Sequence, residues 1–288
     1  MRPPQATLID PADAQQLDSL LRRHRITLQH RLGQNFLVDP KLRDAVAEAS
    51  GADRGDEVLE VGAGVGTLTI ALATRSRRVV AVELDARLIP ALRDVLAAHD
   101  NVELVQADIL RFDVTRAFPA GAELVAGNIP YNLTGGLIRK LLDHPPRPRR
   151  LSLVVQKEVA ERWTATTAAS LATVAVQVFA VPTMVMTIPA AAFTPVPKVD
   201  SALVMLEVRP RPAVDIDDMD GFFRFVEALF QFRRKQLGGT LGRIAGSSGV
   251  EAAARLDELG IEPVRRPQTL TLSEWEAVYR AFNRGFDR

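Results

Sequence analysis

From residue 57 to residue 163, short apolar runs alternate with longer stretches of helical character, and that rhythm restricts the chain to few folds. The expected strands cover residues 57–61, 78–84, 102–106, 123–127 and 151–156. The expected helices cover 65–75, 86–98, 134–142 and 157–163. Strands joined by helical crossovers pair in parallel, and a parallel sheet needs cover on both faces. The expected class is therefore α/β with a doubly wound sheet. Two later runs, 181–188 and 202–208, have prolines and no helix between them. They are expected as an antiparallel pair at one edge.

A chain of 288 residues exceeds what one compact core usually needs, so a smaller second domain is expected. Asp10-Pro11 and Asp39-Pro40 each read as a helix start, cap then first residue, for helices reaching about Arg23 and Gly51. Residues 1–10 are expected to be disordered. Pro210-Arg211-Pro212 and the acidic run 215–220 read as a linker. Beyond it the pattern is helical, over 222–241, 250–259 and 273–282, with Ser273 and Glu276 as a capping box. The apolar run 168–181 is interrupted by Ser170, Thr173 and Gln177 and ended by Pro182, too short to span a bilayer. No secretory h-region opens the chain, so a cytoplasmic protein without membrane attachment is expected.

Cysteine is absent, which excludes disulfides, thiolate metal sites and cysteine nucleophiles. Four histidines, at 24, 30, 99 and 144, have no ligand spacing, so no metal is expected. A net charge of +1 does not announce a nucleic-acid partner. The basic residues are 31 Arg against 5 Lys, however, and they cluster. The clusters are Arg22-Arg23-His24-Arg25 with Arg31, then Arg147 with Arg149-Arg150, then Arg233-Arg234-Lys235. Such clusters suit phosphate, because a guanidinium binds it bidentately. A solvated arginine-rich surface explains any one of them as well.

Chemistry gathers at successive strand ends. Glu60-Val61-Gly62-Ala63-Gly64-Val65-Gly66 follows the first strand, where glycines allow a tight turn and close approach of a ligand. The dinucleotide fingerprint fails there, since its third glycine would fall on Thr67. Glu83 ends the second strand, where a carboxylate accepts from ribose hydroxyls. Asp108 follows the third, where it accepts from an adenine amine. Gly127-Asn128-Ile129-Pro130-Tyr131 ends the fourth. An Asn oxygen and a nearby carbonyl can accept both N–H groups of a flat aromatic amine, and Tyr can stack on it. A nicotinamide enzyme has no use for that last element.

The motif Asn128-Ile129-Pro130-Tyr131 resembles that of methyltransferases acting on the exocyclic amine of adenine. More of the chain, from about residue 25 to the end, resembles the ribosomal RNA small-subunit adenine dimethyltransferases. The matching segments include 32–37 (LGQNFL), the glycine turn, Val82-Glu83-Leu84-Asp85, 127–132, 156–162, 193–201 and Phe232-Arg233-Arg234-Lys235. The segments 259–263 and 266–270 also look familial. One departure is the stretch 163–170, shorter than the usual loop there.

The resemblance implies a Rossmann-like methyltransferase domain over 25–211, after an N-terminal extension and helix (1–24) and before a helical, rRNA-binding domain (212–288). It implies S-adenosylmethionine as cofactor, with Asn35, Leu37, Gly62, Glu83, Asp108 and Asn128 at its pocket. Asn128 and Tyr131 would hold the target adenine, with Phe193 on the base's other face. The implied reaction is N6,N6-dimethylation of two adjacent adenines in the 3′-terminal hairpin loop of small-subunit rRNA during ribosome assembly. A monomer is expected, since no exposed apolar helix face stands out. Two alternatives share the scaffold: a large-subunit rRNA adenine methylase of the macrolide-resistance type, and a non-catalytic assembly factor.

Overall fold

Strand β2 (Glu57–Val61) is buried over 58–61, and its neighbours explain why. A computed structural model, which describes residues 9–28, 34–129, 134–143 and 145–286, places it inside a seven-stranded sheet, between the strands Arg78–Glu83 and Leu124–Asn128. Before it come α1 (Ala14–Arg23), the short β1 (Phe36–Leu37) and α2 (Pro40–Ala49). After it run α3 (Thr67–Ala73), β3 (Arg78–Glu83), α4 (Ile89–Leu96), β4 (Val102–Gln106), α5 (Val114–Ala117), β5 (Leu124–Asn128), α6 (Thr134–Leu142) and β6 (Arg150–Gln156). Then follow α7 (Lys157–Thr164), α8 (Leu171–Phe179), β7 (Ala180–Ile188), β8 (Phe193–Thr194) and β9 (Ser201–Val208). The rest is helical: α9 (Met219–Phe230), α10 (Leu237–Ile244), α11 (Gly249–Glu258) and α12 (Leu272–Phe286).

The sheet order is β4-β3-β2-β5-β6-β9-β7. β2 through β6 pair in parallel, and β9 runs antiparallel beside β6. The chain moves outward from β2 to β4, then returns to lay β5 on the other side of β2. That reversal opens a crevice past the carboxyl ends of β2 and β5, where doubly wound sheets hold ligands. The expected α/β class is what the structure has, and the two late strands lie side by side at one edge.

The chain divides into two compact units, residues 1–160 with 182–208, and residues 161–181 with 209–288. The boundaries read from sequence differ from this at two places. Helix α1 is part of the first unit, because Leu17 and Leu20 are buried with Phe36, Val65 and Leu88. The segment 161–181 belongs to the second unit. Helix α8 is too apolar to stand alone: Val174, Ala175, Val176, Val178 and Phe179 are all buried. Phe179 stacks on Phe223 at 5.8 Å, within a cluster that includes Phe222 against Tyr279 at 5.4 Å. The shortened stretch after Arg162 is stapled there too. Thr167 bridges to Thr271, Ala168 N–H donates to the Leu270 carbonyl at 2.8 Å, and Trp275 Nε1 donates to the Ala168 carbonyl at 3.3 Å.

The helix expected over 222–241 is two helices. The amides opening α10 bond elsewhere: Leu237 N–H to the Arg265 carbonyl at 2.8 Å and Gly238 N–H to the Pro263 carbonyl at 3.0 Å. The capping box of the last helix also lies two residues earlier than its sequence suggests. Glu274 Oε2 accepts from Thr271 N–H at 2.8 Å, and Thr271 Oγ1 accepts from Glu274 N–H at 3.3 Å. Thr271→Ala is therefore expected to cost about 1 kcal/mol of stability, and Ser273→Ala less than about half of that. Urea-unfolding midpoints of the two variants check this, and a reversed order contradicts it. No helix among the described residues is long and apolar enough to cross a membrane.

Candidate functional site

The turn after β2 is built from backbone that favours glycine. Gly62, Gly64 and Gly66 have φ of 74°, 61° and 88°. At Gly64 space is limiting as well, for a Cβ there would stand 2.8 Å from Phe36 Cε1. Gly64 N–H donates to Glu83 Oε2 at 2.7 Å, and Asp85 N–H donates to Glu83 Oε1 at 2.8 Å. Each carboxylate oxygen can accept twice, so Glu83 keeps capacity for a further donor. It is only 7% exposed. Burial pushes its carboxyl up from the ordinary value, against the pull of the Asp85 and Gly64 amides.

Glu83 lines a cavity of about 350 Å³ at the crevice mouth, together with Asn35, Gly62, Gly64, Asp108 and Asn128. Asp108 follows β4, its side chain 35% exposed, with Oδ1 accepting from Leu110 N–H at 2.9 Å. A smaller cavity of about 40 Å³ adjoins it, shares Phe36, Gly62, Gly64 and Asn128, and adds Leu37, Glu60 and Phe193. Leu37 and Phe193 face each other in register across β1 and β8. The structure thus gathers Asn35, Gly62, Glu83, Asp108 and Asn128 around one space, with Leu37 and Phe193 at its smaller annex. Phe193 is 1% exposed, a wall of the annex. Pro130 and Tyr131 lie outside the described residues.

Asn128 ends β5, and its amide orientation is set by its partner. Nδ2 donates to the Asn35 carbonyl at 2.7 Å. A carbonyl cannot donate, so the atom against it must be the nitrogen, and Oδ1 is the atom left to accept. Oδ1 has no hydrogen-bond donor among the described residues.

Sequence reasoning quoted Glu60 without giving it a role. It is 1% exposed, and its Oε2 has no partner among the described residues. Burial pushes its carboxyl up to about 8, with the Thr69 hydroxyl opposing and the Glu83 carboxylate adding to the rise. The visible signal is a second acid, after Glu57, in the middle of a buried strand. At its ordinary value of 4.5 the unfolded chain loses this proton, whereas the folded chain keeps it to about 8. Unfolding between those values releases a proton, so Glu60 contributes stability below 4.5 that is lost as pH rises through about 8. The slope is at most about 1.4 kcal/mol per pH unit. Glu60→Gln is expected to flatten that fall, and unfolding titrations of both proteins from about pH 5 to about pH 8 measure it. Parallel curves contradict the assignment.

Of the three arginine clusters, one is spent on structure. Arg149 pairs with Asp56 at 2.7 Å, Arg150 with Glu207 at 2.6 Å, and Arg147 donates to the carbonyls of Leu142 and Asp143 at the end of α6. In the first, Arg22 pairs with Asp18 and His24 with Asp94, while Arg31 lies outside the described residues. Arg233, Arg234 and Lys235 are exposed, with no ion pair among the described residues. Among those residues no group of three or more His, Asp or Glu is placed to hold a metal.

Comparisons with known proteins identify the family. The family model described as ribosomal RNA adenine dimethylase matches residues 25–278. The ribosomal RNA small subunit methyltransferase A of Pelotomaculum thermopropionicum is 39% identical over 277 residues, covering 91% of this chain and 94% of that protein. Its namesake from Shouchella clausii is 36% identical, covering 92% and 93%. Among solved structures, the 23S rRNA methyltransferase ErmE superposes with a TM-score of 0.66 at 29% identity, over 86% of this chain and all of that one. A dimethyladenosine transferase from Plasmodium falciparum shares the fold, with a TM-score of 0.68 at 24% identity over 86% and 97%. Matched across nearly its whole length, the chain belongs to the ribosomal RNA adenine dimethylase family.

Proposed function

We propose that this chain transfers methyl groups from S-adenosylmethionine to N6 of two adjacent adenines in the 3′-terminal hairpin loop of small-subunit rRNA, during ribosome assembly. The observation that carries the reading is the Asn128 amide, pinned by the Asn35 carbonyl at 2.7 Å with its oxygen free to accept. It stands at the rim of a cavity whose residues fit the cofactor. Gly62 and Gly64 line it without side chains, Glu83 keeps acceptor capacity that would serve ribose hydroxyls, and Asp108 would accept from an adenine amine. Leu37 and Gly62 extend the lining toward the annex.

When bound, S-adenosylmethionine supplies a methyl group on a sulfonium, which an aligned nucleophile takes in line. Adenine N6 is a poor nucleophile because its lone pair is delocalised into the ring. Asn128 Oδ1, accepting one N6 proton, returns density to the nitrogen and aims it. The Pro130 carbonyl as second acceptor, and Tyr131 and Phe193 as the faces holding the ring, belong to the same reading. The protein's contribution is positioning and electrostatics. After the first transfer one N–H remains, so one acceptor must give way to a methyl group, and spent cofactor must be exchanged.

A base must leave its stack to reach such a site, which favours loops over duplex. Arg233, Arg234 and Lys235 suit flanking phosphates, and the helical C-terminal part is proposed as an rRNA-binding element. Binding through them weakens with salt. The reading also includes a cytoplasmic monomer. A large-subunit substrate is the second reading, favoured by the likeness to ErmE at 29% identity. The relatives named for the small subunit, at 39% and 36%, favour the first. Offering labelled methyl donor with unmethylated small and large subunits decides: label in small subunits alone is expected, and label in large subunits alone overturns the choice.

A further inference from the structure

Asn128 serves an amine in one orientation only, and a backbone carbonyl sets it. Turned over, the side chain would press Oδ1 against the Asn35 carbonyl and offer the amine a donor instead of an acceptor. The Asn35 peptide is thus part of the amine site whatever its side chain does.

Among the described residues, three contacts bracket that peptide. On its C-terminal side, Phe36 and Leu37 pair with Thr194 and Phe193. The Phe36 ring stands against Gly64. On its N-terminal side, Gln34 Nε2 donates to Asp85 Oδ2 at 2.7 Å. Asp85 is itself gripped: Arg87 Nε donates to Oδ1 at 2.9 Å, and Arg87 N–H donates to the same oxygen at 3.0 Å. Arg87 also holds the Asp85 carboxyl below the usual carboxylate range, so it remains an acceptor. The helix expected over 86–98 starts at Ile89, and the Asp85 carboxylate before it serves Gln34 and Arg87.

We propose that Asp85 is a positioning residue for the methyl-accepting amine: by gripping Gln34 it keeps the Asn35 carbonyl where it turns Asn128 Oδ1 toward that amine. The inference rests on the site being an adenine N6 site. It joins the end of β3, which carries the cofactor's expected carboxylate, to the end of β5, which carries the amine's acceptor. Misplacing a positioned group by about an ångström costs up to about 100-fold in rate. The other two contacts remain when Asp85 is lost, so the expected effect is smaller, about tenfold.

The test compares kcat for methyl transfer to small subunits with the Kd for S-adenosylhomocysteine, measured by calorimetry. Asp85→Ala is expected to lower kcat about tenfold while Kd stays within about threefold of wild type. Asp85→Asn keeps an oxygen for Gln34 Nε2 and is expected to hold kcat within about threefold of wild type. Gln34→Leu cuts the same link from the other end and is expected to lower kcat at least as far as Asp85→Ala, with the double variant no worse than Gln34→Leu alone. Unchanged kcat in Asp85→Ala, a kcat loss matched by lost affinity, an asparagine variant as poor as alanine, or additive losses each overturn the proposal. Should Asp85→Ala fail to fold by circular dichroism, Gln34→Leu decides by the same split. A wild-type protein that methylates no ribosomal particle overturns the proposed function itself, a failure read without any variant.

Discussion

Asn128→Ala is expected to abolish methyl transfer while leaving the fold in place. The substitution removes the Asn128 side-chain oxygen that, on the proposed reading, accepts from the target amine. It also takes away the Nδ2 donor that the Asn35 carbonyl holds at 2.7 Å. Removing one preorganised hydrogen-bonding group from a reacting centre costs about 10²–10³ in kcat. Here the loss should reach the upper end of that range, because the same atom aims the nucleophile and raises its electron density. The sheet should not suffer, since Asn128 is the last residue of β5 and its side chain is outside the apolar core. The measurement is single-turnover transfer to small subunits beside a urea-unfolding curve. Near-wild-type transfer by a folded Asn128→Ala protein would remove Asn128 from the mechanism.

Glu83→Ala is expected to weaken S-adenosylmethionine binding by about 100-fold or more. Hydrogen bonds to a charged group are worth about 1.5–3 kcal/mol each, and the ribose would use at least one of them. The variant also leaves the Gly64 and Asp85 amides without their acceptor, so the glycine turn loses its tie to β3. Glu83→Gln keeps one oxygen and should fall between alanine and wild type. Calorimetry of the three proteins checks the order, and undiminished affinity in the alanine variant would place the ribose elsewhere.

Much of this architecture was legible because parallel strands are apolar on both faces. Val58, Leu59, Val79, Val80, Leu124 and Val125 read as unbroken runs and proved to be core. The polar groups at their carboxyl ends, Glu83, Asp108 and Asn128, stood out against that background, and the chain's reversal between β4 and β5 brings them to one crevice. What local pattern could not supply were partners distant in sequence. Nothing near Arg149 or Arg150 reveals that Asp56 and Glu207 neutralise them. The division of the helix after Phe230 depends on carbonyls at 263 and 265. Residues 161–181 look like part of the sheet domain until Phe179 finds Phe223. The link from Asp85 to Gln34 spans 51 positions, and that from Asn128 to Asn35 spans 93. Both arise only when the sheet is assembled.

The central claim is that this clamp holds one adenine nitrogen through two methyl transfers. Its most direct test is to incubate the protein with methyl donor and unmethylated small subunits, digest the rRNA, and map the modified nucleosides by mass spectrometry. The predicted result is N6,N6-dimethyladenosine at two adjacent positions in the 3′-terminal hairpin loop, lost with Asn128→Ala. Methyl groups on another atom, on another base, or unchanged by that substitution would contradict it.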